Sequence, residues 1–237
     1  MDILLKLIAA LLPAVLLWIF IWKKDLQPEP IGWLLKAVLL GMATVLPLAF
    51  LEHGLDIVLF GPDGKPSTLM GTTVKSFVVA ALPEEAFKLL ALWLVLRKNS
   101  YFDEHFDGIV YAVCVGLGFA AVENVIYVFS EDEWVGVAIA RALLAVPGHY
   151  AFAVLMGYYY SVYHFVDHSP KVALCILLVP VMAHGVYDSL ALSGVVDETV
   201  GGLCFFILVW FCRKMHKEAK AKVLAMIDRD NKNNISL

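Results

Sequence analysis

Charge is scarce in this chain. Among its 237 residues only 18 are lysine or arginine and 22 aspartate or glutamate, 17% in all, against 61% hydrophobic residues. That leaves no room for a soluble domain of any size. The formal charge of -4 is mild, and the basic residues lie in short connections and the C-terminal tail, which excludes a nucleic-acid-binding surface. Cysteine is scarce as well. Cys114, Cys175, Cys204 and Cys212 all fall in apolar stretches without CxxC spacing, so they read as small buried hydrophobes and not as a disulfide framework. No internal repeat is visible, and no HExxH pattern offers a ready-made zinc helix. The opening MDILLKLIAALLPAVLLWIFIWKK is too long an apolar run for a signal-peptide core and no small-residue cleavage site follows it, so it reads as a first span.

What is there is lipid-soluble sequence, with a mean hydropathy of +0.78. Seven spans can be drawn, at about 3–22, 33–60, 69–96, 108–129, 135–165, 171–192 and 197–212, each long enough for a hydrocarbon core of about 30 Å. The expected fold is therefore an all-α, polytopic transmembrane helix bundle. Residues 1–68 supply N-terminal helices, 69–192 a catalytic core, and 193–237 the last helix and a basic tail. Lys23, Lys24, Arg97, Lys98, Lys171, Arg213 and Lys214 fall on one side, while the acidic SEDE and VVDE connections fall on the other. By the positive-inside rule the N-terminus is outside and the C-terminus cytoplasmic. The lysine-rich tail reads as a solvated segment, with a helix lying near anionic headgroups as the alternative. The fifth span is too long: its 31 residues would make roughly 46 Å of helix. Pro147 and Gly148 supply a break, and residues 131–146, with Arg141, are either an interfacial helix on the outer face or part of the span itself.

Four of the spans carry groups that lipid should reject: Glu84, Glu85 and Lys88; Glu123 and Asn124; His149; and His184 with Asp188. Each charge at a helix centre costs about 2.5–3.5 kcal/mol, so unpaired they would cost on the order of 10 kcal/mol together. They must face one another. Glu84 and Lys88, Phe119 and Glu123, and His184 and Asp188 are each spaced i, i+4, giving every helix one polar stripe. With the topology above the stripes share one depth in the outer half of the membrane. His53, His105, His164, His168 and His216 sit at span ends or in connections and read as bystanders, although His53 with Glu52 and Asp56 can line the outer mouth.

Peptide hydrolysis needs an activated water, a base to take its proton and groups that stabilise the oxyanion, and this set contains all three. Glu84 is the first choice of base. His149, His184 and Glu123 would also give the three-ligand site with one open position that catalytic Zn²⁺ uses, with Asp188 orienting His184. EEAFK at 84–88, FAAVEN at 119–124, the lone His149 and HGVYD at 184–188 resemble the EExxK, FxxxEN, single-histidine and HxxxD motifs of the PrsW family of intramembrane proteases, within the larger group of CAAX prenyl proteases and bacteriocin self-immunity proteins. The resemblance covers residues 69–192. It implies cleavage of a membrane-protein substrate near its extracytoplasmic side, with an anti-sigma factor as the kind of substrate, in bacterial stress signalling at the plasma membrane. The CAAX branch has FxxxH and HxxxN where this chain has Glu123 and Asp188. Either Asn124 then donates to the oxyanion, or Asp188 is protonated, or the extra carboxylates hold a metal. The rival class is a proton- or ion-coupled transporter, which also buries carboxylates and histidines. Such transporters tend to show paired repeats, absent here.

Overall fold

The computed structural model describes residues 2–235, all helix and connection with no strand among them. Each segment drawn from the sequence is a helical rod: α1 (Asp2–Trp22), α2 (Ile31–Phe60), α3 (69–96), α4 (Asp107–Ser130), α5 (Trp134–Phe165), α6 (Pro170–Ala191) and α7 (Glu198–Ile235). All but α3, whose centre is charged, are long and apolar enough to cross a membrane by length and composition. A bilayer admits such rods because every backbone group in them is satisfied within its own segment.

The bundle is built around α4, in which residues 107–120 are buried without a break. It packs against α1, α2, α3 and α5. Glycine makes the approach possible. A Cβ on Gly41 of α2 would lie 2.0 Å from the Val115 carbonyl oxygen of α4, and one on Gly118 of α4 would lie 2.3 Å from that of Val38. Lipid supplies no hydrophobic drive for helices to associate, so close backbone contact between small residues replaces it.

Two rods contain a π-helical segment: Lys75–Ala81 in α3 and Arg141–Ala145 in α5. A proline follows each within two residues, Pro83 and Pro147. The proline ring has no N–H and collides with the carbonyl four residues back, and the wider π turn makes room for it. The break expected at Pro147 and Gly148 is thus absorbed one turn earlier. Residues 134–165 run as one rod, with no separate interfacial helix over 131–146.

The tail also departs from expectation. It continues α7 and docks on the bundle, burying Ala219, Val223 and Met226 in the main core. These are spaced i, i+4, i+7, an apolar stripe that the lysines on the other faces obscure. The same stripe ends at Asp230, whose Oδ1 accepts from the His105 N–H at 2.9 Å and whose Oδ2 accepts from the Phe106 N–H at 2.8 Å. At this lysine-rich end burial raises the Asp25 carboxyl and pushes Glu29, bonded by the Tyr111 hydroxyl, up to about 7.

Candidate active site

Both π segments lead directly into the candidate site. Immediately beyond them, α3 presents Glu84, Glu85 and Lys88, and α5 presents His149; α4 adds Glu123 and α6 adds His184 and Asp188. The structure brings these seven into one cluster. Glu84, Glu85, Lys88, His149 and His184 are all at most 5% exposed.

Lys88 is the hub. Its Nζ donates to Glu84 Oε2 and Glu85 Oε1, both at 2.9 Å, lies 3.2 Å from His149 Nδ1, and sits 4.0 Å above the Phe119 ring. An ammonium only donates, so His149 Nδ1 accepts, and the ring proton resides on Nε2, which donates to Glu123 Oε2 at 2.9 Å. His184 is arranged in parallel. Its Nδ1 meets Glu85 Oε1 at 3.0 Å and its Nε2 meets Asp188 Oδ2 at 3.3 Å, while Phe152 stacks on the ring at 4.9 Å. Both imidazoles therefore turn Nδ1 inward and Nε2 toward an outer carboxylate. Such a carboxylate fixes the tautomer and orientation of a ligating histidine.

These groups form a set that could hold a metal. One donor atom each from Glu84, Glu85, His149 and His184 lies within 4.8 Å of the others. Glu85 Oε2 is buried without a hydrogen-bond partner, so the set has unused donor capacity. Mixed imidazole and carboxylate donors suit Zn²⁺ and its neighbours. The set differs from the His149, His184 and Glu123 triad expected from the sequence. Glu123 is drawn instead to Arg141, whose Nη2 donates to its Oε2 at 2.5 Å, and serves His149 from outside.

A cavity of about 870 Å³ opens beside the cluster. Glu84, Glu123, His149, His184 and Asp188 line it, while Glu85 and Lys88 stay behind its wall. Asn124 does not reach it. The Asn124 amide donates to the Ala10 carbonyl of α1 at 2.6 Å and accepts from Arg141 Nε at 2.5 Å, so it is turned toward α1 and away from the cavity lining. Toward the mouth, Glu52 and Asp56 line the wall as the sequence suggested, Lys75 pairs with Asp56 at 2.8 Å, and His53 is exposed and off the lining. Sequence reasoning missed Arg141 as a member of the site. Its signal was there: a lone arginine inside WVGVAIARALLAV needs a buried partner as much as any glutamate does.

The family model described as PrsW family intramembrane metalloprotease matches residues 29–212. The protein named Protease PrsW of Geobacillus kaustophilus is 33% identical over 90% of this chain and 91% of its own length. Its namesakes from Clostridioides difficile and Bacillus subtilis are 34% and 32% identical, over 85% and 90% of this chain and 85% and 94% of their own. No solved structure matches the chain.

Proposed function

The chain belongs to the PrsW family of intramembrane metalloproteases, and on that premise we propose that it cleaves a membrane-protein substrate in the cavity beside Glu84, near the extracytoplasmic side of the bilayer. It is a multi-pass bacterial membrane protein. The observation that carries the assignment is the placement of Glu84: of the two adjacent glutamates, it alone lines the cavity.

Glu84 is the base that takes the proton of the attacking water, and Lys88, 2.9 Å from its Oε2, keeps the carboxylate aimed. Glu85 spans Lys88 and His184 and so holds two helices in register with the base. A metal, Zn²⁺ by donor chemistry, would be held by Glu85, His149 and His184, with the Lys88 ammonium displaced from His149 Nδ1 and Glu84 left as the base, and when bound would supply Lewis-acid polarisation of water or of the scissile carbonyl. Glu123 and Asp188 orient the two histidines. Arg141 is the guanidinium on the cavity wall that faces a developing oxyanion.

The lining also has an apolar side, Val45 and Leu48 from α2 with Phe205 and Leu208 from α7. That side suits an unwound hydrophobic segment, as a substrate taken from the membrane requires. An anti-sigma factor is the substrate class that the family resemblance implies. The extracytoplasmic placement rests on lysine and arginine collecting at the end of the bundle away from the cluster, which makes that end cytoplasmic.

The test is truncation of a tagged single-span anti-sigma factor by wild type and Glu84→Gln, with and without a membrane-permeant chelator. Cleavage is expected to fall about 100-fold or more in the variant, the scale of a lost general base, and to vanish in the chelated wild type. Full cleavage by the variant removes Glu84 from the role. Cleavage that survives chelation removes the metal.

A further inference from the structure

At the lysine-rich end, remote from the cavity, three carboxylates from separate stretches of chain converge. Asp25 belongs to the α1–α2 connection, Glu104 to the α3–α4 connection, and Asp107 opens α4; one oxygen of each lies within 4.8 Å of the others. Asp25 is 7% exposed and Asp107 is fully buried.

The hydrogen bonds of the two aspartates use one oxygen apiece. Asp25 Oδ1 accepts from the Gln27 N–H at 3.1 Å. Asp107 Oδ2 accepts from the N–H groups of Asp103 at 3.1 Å and Glu104 at 2.7 Å. Asp25 Oδ2 and Asp107 Oδ1 are buried without a hydrogen-bond donor of normal length, and the Glu29 carboxyl lies beside Asp107 as a fourth acid of the group. Among the described residues no lysine, arginine or histidine comes within 4 Å of either carboxylate. Two buried acids with orphaned oxygens and no counter-charge are costly, because desolvation is not repaid. The cost is relieved either by protons or by a cation set between them.

We propose that Asp25, Glu104 and Asp107 bind a hard divalent cation of the Mg²⁺, Mn²⁺ or Ca²⁺ class. The donors are all oxygen, with no imidazole or thiolate, which favours these ions over zinc. The donors are also pre-positioned: Gln27 Nε2 donates to Glu104 Oε1, and Asp107 Oδ2 gathers the loop that carries Glu104. Bound there, the ion clamps the α1–α2 and α3–α4 connections to the first turn of α4. About 24 Å of helix separates Asp107 from Glu123 at ~1.5 Å per residue, so this site is independent of the proteolytic cluster.

The experiment is a Mn²⁺ titration of the full chain in detergent, with bound ion counted by the loss of the free Mn²⁺ electron paramagnetic resonance signal. Wild type is expected to bind Mn²⁺ in competition with Mg²⁺, and Asp25→Asn/Asp107→Asn to bind one ion fewer per chain. Glu104→Gln, which keeps the shape of a half-buried side chain and removes its charge, is expected to weaken that ion at least tenfold. The ion is also expected to raise the thermal midpoint of wild type but not of the Asp25→Asn/Asp107→Asn variant. No Mn²⁺ bound by wild type, or the same number and affinity in Glu104→Gln, would overturn the proposal. So would an Asn variant more stable than wild type in saturating Mn²⁺, which assigns the acids to a proton network instead.

Discussion

Arg141 reaches the cluster from a helix that is otherwise apolar, and it holds two residues of α4 at once, Glu123 and Asn124, while its guanidinium lies 4.1 Å from the Tyr127 ring centre. Arg141→Met keeps the length of the side chain and removes the charge. It leaves Glu123 facing a neutral imidazole, and losing one partner of a partly buried pair costs about 1–3 kcal/mol, between the exposed and the fully buried cases. A clear drop in thermal midpoint is expected, read in detergent on the purified variant. Adding Glu123→Gln to Arg141→Met should return most of that loss, because the double variant no longer strands a charge. If the two losses simply add, the pair is not the stabilising contact. At this scale the sequence announces which side chains matter: charges inside apolar stretches identify themselves. It does not announce which atoms meet. Asn124 belongs to the same motif as Glu123, yet it sits about 100° round the helix and so turns toward α1.

The helices meet through their glycines. Gly41 on α2 and Gly118 on α4 each bring one backbone against the other, and any Cβ at Gly41 would overlap the Val115 carbonyl. Gly41→Ala should force the two rods apart and destabilise by about 1–3 kcal/mol, the usual cost of overpacking. Gly32→Ala, on the same helix but with nothing within 4 Å of its added methyl, is the control and should be neutral or slightly stabilising. The pair is compared by resistance to denaturation in mixed micelles, and equal midpoints would deny the close packing. Element positions were legible from hydropathy and from the charged connections. The rotation of α3 and α5 was not, because it depends on the π segments, and nothing local in KSFVVAA or RALLA requires the wider, i→i+5 bonded turn. Only the prolines just beyond them hint at it. The docked tail was missed for a different reason: its lysines dominate the composition, while the stripe of Ala219, Val223 and Met226 occupies only one face.

Across the whole molecule, α4 links two polar ends with different contents. One holds the cavity and its histidines; the other is closed by Asp230 over the first turn of α4. Asp230→Ala should orphan the buried Phe106 N–H and the His105 N–H at about 1–3 kcal/mol each. Faster proteolysis of the 97–106 connection is expected, with cleavage of substrate per folded molecule unchanged, since the loss is at the far end. An equal fall in both would tie the two ends together. The closure also has a timing. Asp230 follows Phe106 by 124 residues, a delay of roughly 6–25 s at about 5–20 residues/s of synthesis. Until the last helix has emerged and folded back, the first turn of α4 depends on water for its cap. The finished bundle is thus a post-translational product, and a nascent chain stalled before α7 would present an open end to any quality-control protease on that side.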